Sequence, residues 1–260
     1  ALGEAAWQKY RATRDATWIT TARTELDAAL TRAPDDPTVL LAVAVLEYGT
    51  GLSDSALAHV DQVITRQPST TAAYRLRARI RTDRGELEAA IVDLREANRL
   101  HPDDANTVAF LGQAYFRAGR SDEAIASFIR LTTLQPDNAS AFQMLGTAYH
   151  AAGDLDRALV SYERTNAILP RATAHSNIGT IYYARGDFLR AVASYRAAIA
   201  IQPKEPATHR NLADALSAAG DEAGARREYE AALALAREAL TVNPASARVL
   251  ALAGLCEARL

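Results

Sequence analysis

Seven prolines set the frame of this chain. Pro34, Pro68, Pro102, Pro136 and Pro170 follow one another at i, i+34; Pro203 stands at i+33 from Pro170, and Pro244 at i+41 from Pro203. Gly51, Gly85, Gly119, Gly153 and Gly220 recur in the same frame, each at i+17 from the preceding proline of the series, and Gly186 at i+16. A residue that ends helices thus alternates with one that accepts left-handed backbone, and the chain is cut into repeated pairs of segments. Between these breakers Ala, Leu, Arg and Glu are frequent, and apolar residues recur at i, i+3, i+4 and i+7, which is the helical period. The 260 residues are therefore expected to form a stack of two-helix units, each too small to bury its apolar stripe alone.

Local chemistry agrees. Glycine at the end of a first helix supplies the left-handed closing residue, and Glu86, Asp154, Asp187 and Asp221 follow it near the positive N-terminus of the second helix. Asp103, Asp104, Asp137 and Asn138 stand where the next unit needs caps. Acids in these places are structural by position.

The unit ending at Pro170 carries Phe142, Leu145, Gly146, Tyr149, Gly153, Ala158 and Tyr162; the one before it carries Leu111, Gly112, Tyr115, Gly119, Ala124 and Phe128; the one after it carries Ile178, Gly179, Tyr182, Gly186, Ala191, Tyr195 and Ala198. This pattern resembles the tetratricopeptide repeat (TPR). The resemblance implies an all-α fold, an α-solenoid of antiparallel helix pairs forming a superhelix. Residues 1–260 read as a single solenoid with repeats at about 3–36, 37–70, 71–104, 105–138, 139–171, 172–205 and 206–246, then a partial repeat or capping helix at 247–260. In the first unit, which is degenerate, Tyr10 replaces the packing glycine and Thr17 the turn glycine. In the seventh the second helix gains seven residues, about two turns, so its apolar stripe returns to nearly the same face. Gly112, Gly146 and Gly179, with Ala44, Ala78 and Ala213, mark where one helix presses on its partner, and Gly254 holds that place in the last segment. Arg77 and Arg81 stand where the pattern usually buries apolar residues. An arginine is not buried unpaired, so Glu47 is expected to pair with one of them across the repeat boundary, the alternative being that both snorkel to solvent.

Composition narrows the function. A net charge of −2 with no basic block gives no footprint for nucleic acid, and none is expected as a partner. The longest uncharged apolar stretch, Val39 to Leu46, is far too short to insert in a membrane. Cys256 is alone, and His59, His101, His150, His175 and His209 show no metal-binding spacing. No phosphate-binding loop is present. Catalytic, cofactor and metal sites are accordingly expected to be absent, and these residues to be no enzyme.

What the resemblance offers instead is a groove lined by positions 2, 5, 6, 9, 12 and 13 of each first helix. Position 12 brings Tyr48, Phe116, His150 and Tyr183; position 9 brings Arg79, Gln113, Thr147, Thr180 and Asp214. Arg75, Gln143 and Arg210 fall at position 5, Asn106 at position 2, and Asn177 and Asn211 at position 6 in successive units, where an amide both donates to and accepts from a peptide backbone. The alternative is that these form only the solvated face of a helix. The basic and amide set of a dicarboxylate clamp is missing, although Arg75 and Arg79 supply positive charge. The expected partner is a protein or peptide segment.

The opening, Ala1 to Asp15, and the close, where the last full repeat runs on from Leu235 to Val242 before Asn243 and Pro244, are similar to the C-terminal repeat region of bacterial signalling proteins that carry a serine/threonine kinase, nucleotide cyclase or winged-helix domain upstream. Met144 is the only methionine, and only Lys9 and Lys204 are lysine beside 27 arginines (29 − 2), so a piece of a longer bacterial chain is expected. Its role would be an interaction scaffold regulating an attached domain. The alternative is homo-oligomerisation through the array ends. The expected compartment is cytoplasmic, or periplasmic if a membrane segment precedes these residues.

Overall fold

In the computed structural model, which describes residues 2–13 and 15–260, the helical period is realised in fifteen helices, with no strand among the described residues. Two units are distinct, residues 1–134 and residues 135–260. The first holds four hairpins: α1 (Leu2–Thr13) with α2 (Thr17–Arg32), α3 (Pro37–Gly49) with α4 (Ser53–Arg66), α5 (Thr71–Asp83) with α6 (Leu87–Leu100), and α7 (Ala105–Arg117) with α8 (Ser121–Leu134). The second holds three: α9 (Ala139–Ala151) with α10 (Leu155–Ile168), α11 (Ala172–Ala184) with α12 (Phe188–Ile201), and α13 (Pro206–Ala218) with α14 (Glu222–Val242), followed by α15 (Ala247–Glu257).

Within each unit a helix packs most extensively on its hairpin partner, and each second helix next packs on the first helix of the following pair. Sharing a core in this way is what lets such small pairs fold. Leu40 of α3, Val60 and Val63 of α4, and Ala73 and Ile80 of α5 form one core with almost no exposure. The six turn glycines all have positive φ, from 75° to 87°, which a side chain would strain. The caps are only partly those expected. Asp154, Asp187 and Asp221 accept the backbone N–H at i+3, and Asp104 and Asn138 the one at i+2. Glu86 makes no such bond, and Asp103 reaches Arg130 instead.

Close helix contact occurs at the expected glycines. A Cβ at Gly112, Gly146 or Gly179 would stand 2.6, 2.7 and 2.7 Å from the rings of Phe128, Tyr162 and Tyr195. Gly254 differs: its Cβ would meet nothing within 4 Å. The first pair solves the problem another way. Thr17, at the turn-glycine place, is the first residue of α2, its N–H held by Asp15 at 3.0 Å, so the hairpin turns earlier. Gly3 then packs on Leu26, and Gly49 of α3 takes the Trp7 ring. In the last full pair α14 runs for 21 residues where α12 has 14, and its added turns pack on α15 around the fully buried Cys256.

The expectation for Arg77 and Arg81 is overturned in both its forms. Glu47 pairs with His59 at 2.7 Å, not with either arginine. Both guanidinium groups hold Asp93 of α6, which is 1% exposed: Arg77 through Nε and Nη2 at 3.0 and 2.6 Å, Arg81 through Nη1 at 2.8 Å. The remaining Nη1 of Arg77 donates to Asp61 at 2.7 Å. Arg77 and Asp93 stand at i and i+16, the same offset as Gly112 and Phe128, so the counter-ion lies on the facing helix of the same pair.

Candidate functional site

In the first unit the first helices alone build a cleft. Side chains of α1, α3, α5 and α7 enclose about 990 Å³ without any contribution from a second helix. Tyr48, Arg75, Arg79 and Asn106, placed on one face by the repeat period, meet here. Leu41, Val45, Leu76 and Phe110 give it apolar surface, and Phe110 is 41% exposed. Trp7, Gln8 and Arg11 of α1 also line it. They are not among the residues that the sequence singles out, because the first repeat lacks its glycines. One repeat period back from Leu41 and Val45 stand Trp7 and Arg11, so the signal is present.

The polar groups of this cleft are held in two ways. The Arg79 guanidinium lies over the Tyr48 ring, 5.1 Å from its centroid, and the Tyr48 hydroxyl donates to Asp83. Burial, and next the Asp83 carboxylate that accepts its hydrogen bond, raise the Tyr48 phenol above its ordinary value. Arg75 donates to Asp104 Oδ2 at 2.6 Å, as does the Thr107 hydroxyl, while Asp104 Oδ1 caps α7. Burial alone would raise the Asp104 carboxyl; the Thr107 hydroxyl, Arg75 and the Asn106 N–H outweigh it and leave its pKa lowered. A smaller pocket of about 310 Å³ adjoins, where Arg79 and Arg75 meet Asp83, Gln113, Phe110 and Arg117. Phe116 is exposed on α7 and lines neither cavity.

The second unit uses the same repeat positions differently. Thr147 and Thr180 at position 9 face the hydroxyls of Tyr162 and Tyr195 at 3.4 and 3.1 Å, and Asp214 accepts from Tyr229 at 2.5 Å. These three tyrosines are buried, and burial raises all three phenols, Tyr229 furthest, with Asp214 adding to it. In the first unit the corresponding second-helix residues are Val60, Leu94 and Phe128, which carry no hydroxyl, and position 9 there is Val45, Arg79 and Gln113. Position 9 is thus hydrogen-bonded to the facing tyrosine throughout the second unit, whereas in the first Val45 packs on a core cluster and Arg79 is exposed.

Other groove candidates of the second unit are partly engaged as well. His150 meets the Tyr162 ring edge-on at 6.4 Å, and Tyr183, 39% exposed, lies against Phe188 at 5.4 Å. Arg210 donates to the Asn211 side-chain oxygen and stands 3.6 Å from Asp214. Asn177 is half-buried on α11, and Gln143 keeps a buried Oε1 without a hydrogen bond.

Helix pairs stacked through small residues, with first helices sharing a face, define a helical-repeat solenoid built for surface recognition. Tetratricopeptide-repeat family models match residues 44–105 and 81–149, and a TPR-repeat model matches residues 179–220. The chain is a tetratricopeptide-repeat array. No curated protein matches it. Among solved structures it is similar to pilF of Pseudomonas aeruginosa, with a TM-score of 0.66 at 14% identity over 86% of this chain and 97% of that one. It is also similar to YrrB, described as a TPR protein with an unusual peptide-binding site (0.60, 21%, 68% and 92%), and to MamA of Desulfovibrio magneticus (0.60, 22%, 65% and 96%). At these identities the likeness is one of fold. No helix among the described residues is long and apolar enough to cross a membrane.

Proposed function

We propose that the chain works as a single interaction scaffold, its first helices taking up a peptide or protein segment. TPR arrays serve as protein-interaction scaffolds, and the observation that supports this use here is the cleft lined only by α1, α3, α5 and α7. The peptide-binding site named for YrrB is in keeping with it. On the second unit, Asn177 and Asn211 offer amide groups of their own to such a segment. The end similarities in the sequence support a place as the regulatory region of a larger bacterial signalling protein in the cytoplasm. A photo-reactive amino acid at Phe110 should crosslink the partner, and the same group at Val92, 63% exposed on a second helix, should not. Crosslinking from Val92 alone would place recognition on the opposite side. The second reading, homo-oligomerisation, rests on α15, where Leu250 and Leu255 are 49% and 56% exposed. Light scattering checks it: a dimer mass abolished by Leu255→Glu would favour it.

A further inference from the structure

The charge balance of the first-unit cleft narrows the class of partner, and the narrowing rests on the interaction reading above. Three arginines, Arg11, Arg75 and Arg79, line the cleft and no carboxylate does, in a chain whose net charge is −2. Arg75 is neutralised by Asp104. Arg11 and Arg79 have no carboxylate partner among the described residues; Arg79 is exposed, rests on the Tyr48 ring and bonds its hydroxyl, and a guanidinium has five N–H donors, more than that contact uses. Asp83, in the adjoining pocket, accepts from the Tyr48 hydroxyl and keeps its charge, but forms no ion pair with Arg79 and does not line the cleft. Beside these cations Tyr48 and Phe110 present aromatic surface.

We infer that the cleft takes an acidic peptide segment with at least one apolar side chain, its carboxylates meeting Arg79 and Arg11 and its apolar group lying against the Tyr48 and Phe110 wall. Each half of that description answers one feature. Cations without counter-ions favour anionic partners, and a guanidinium binds carboxylate through paired hydrogen bonds. Aromatic side chains flanking the cations reward a partner that brings apolar area with its charge. A purely polyanionic partner would leave that wall wet. A free carboxyl terminus is not required, because neither arginine sits in a closed pocket.

The test is a display of short random peptides panned on the whole chain, followed by titration of the enriched peptides against wild type, Arg79→Gln, Arg95→Gln and Phe110→Ala. Acidic peptides should be enriched. Arg79→Gln should weaken them about tenfold, the size of one lost charge-assisted hydrogen bond, and added salt should weaken them further. Arg95→Gln, an exposed arginine outside the cleft, should change nothing. Enrichment of neutral or basic peptides, or equal affinity in Arg79→Gln, would overturn the acidic partner while leaving the cleft reading intact so long as Phe110→Ala weakens binding. If no enriched peptide is sensitive to Phe110→Ala, the cleft reading itself fails. Displacement of the peptide by a mixed-sequence single-stranded oligonucleotide would assign the cationic wall to phosphate and also overturn the inference.

Discussion

Two guanidinium groups, those of Arg77 and Arg81, converge on the Asp93 carboxylate, which is 1% exposed. Asp93→Asn should cost about 3–5 kcal/mol in urea unfolding, since it leaves the partly buried Arg81 without its charge partner and Arg77 with Asp61 alone. Asp104 supplies a pH-dependent contribution. Its folded pKa lies below the ordinary value of 3.8, so its stabilisation is fully present above that value and is lost as pH falls through the lowered folded pKa. Asp104→Asn keeps a capping oxygen and removes the charge facing Arg75; it should cost about 1 kcal/mol at neutral pH and progressively less as pH falls below 3.8, which thermal melts across that range would check. Asp214 separates groove from core. Asp214→Ala should destabilise by about 1–3 kcal/mol by orphaning the Tyr229 hydroxyl, and adding Tyr229→Phe should recover most of that loss. A melt indifferent to Asp214→Ala would return that residue to the ligand face. Sequence alone assigns Thr147, Thr180 and Asp214 to that face by repeat position. Their engagement stays hidden there because it depends on a hydroxyl at i+15 on another helix.

At the scale of the helix, the prolines and glycines make the hairpins legible, because turn chemistry is local and each unit repeats it. What is not local is misjudged. The repeat period directs attention to Glu47 as the counter-ion of Arg77; the preceding repeat supplies Asp61 instead, and the geometry of a pair places residue i against i+16 on the facing helix, where the buried Asp93 stands. The same facing register makes a sharp prediction at Gly146. Gly146→Ala would push a Cβ to within 2.7 Å of the Tyr162 ring and should cost about 1–3 kcal/mol by overpacking. At Gly254, in the same repeat position but with nothing within 4 Å, Gly→Ala should be neutral or stabilise by up to about 1 kcal/mol through helix propensity. Equal effects at the two sites in chemical denaturation would contradict the contact at Gly146. The missing glycines of the first repeat hide the α1 wall of the cleft for a related reason: the α1–α2 hairpin turns early, closes on itself through Gly3 and meets α3 through Gly49 instead.

For the whole molecule the consequence is uneven stability. Stacked repeats are stabilised by the sum of their own packing and that of their nearest neighbours, so a weakly packed pair opens before the rest. Among the described residues α1 buries only Ala6 and Trp7 of its hydrophobic side chains and α2 only Ala22 and Leu26, whereas α3 by itself buries Leu40, Val43, Ala44 and Leu46. The two tryptophans of the chain, Trp7 and Trp18, both belong to that first pair. Tryptophan fluorescence therefore watches one hairpin while far-ultraviolet circular dichroism averages over all fifteen helices. In a urea titration the fluorescence midpoint should fall below the circular dichroism midpoint. A single cooperative transition would instead superimpose them, and coincident curves would show that α1 and α2 are as firmly held as the rest. The difference bears on recognition, because Trp7 and Arg11 form one wall of the cleft. A ligand that binds only the closed cleft stabilises the wall it touches, so an acidic peptide at saturating concentration should raise the fluorescence midpoint more than the circular dichroism midpoint and narrow the gap between them. A peptide that shifted both midpoints equally would be bound without drawing on α1.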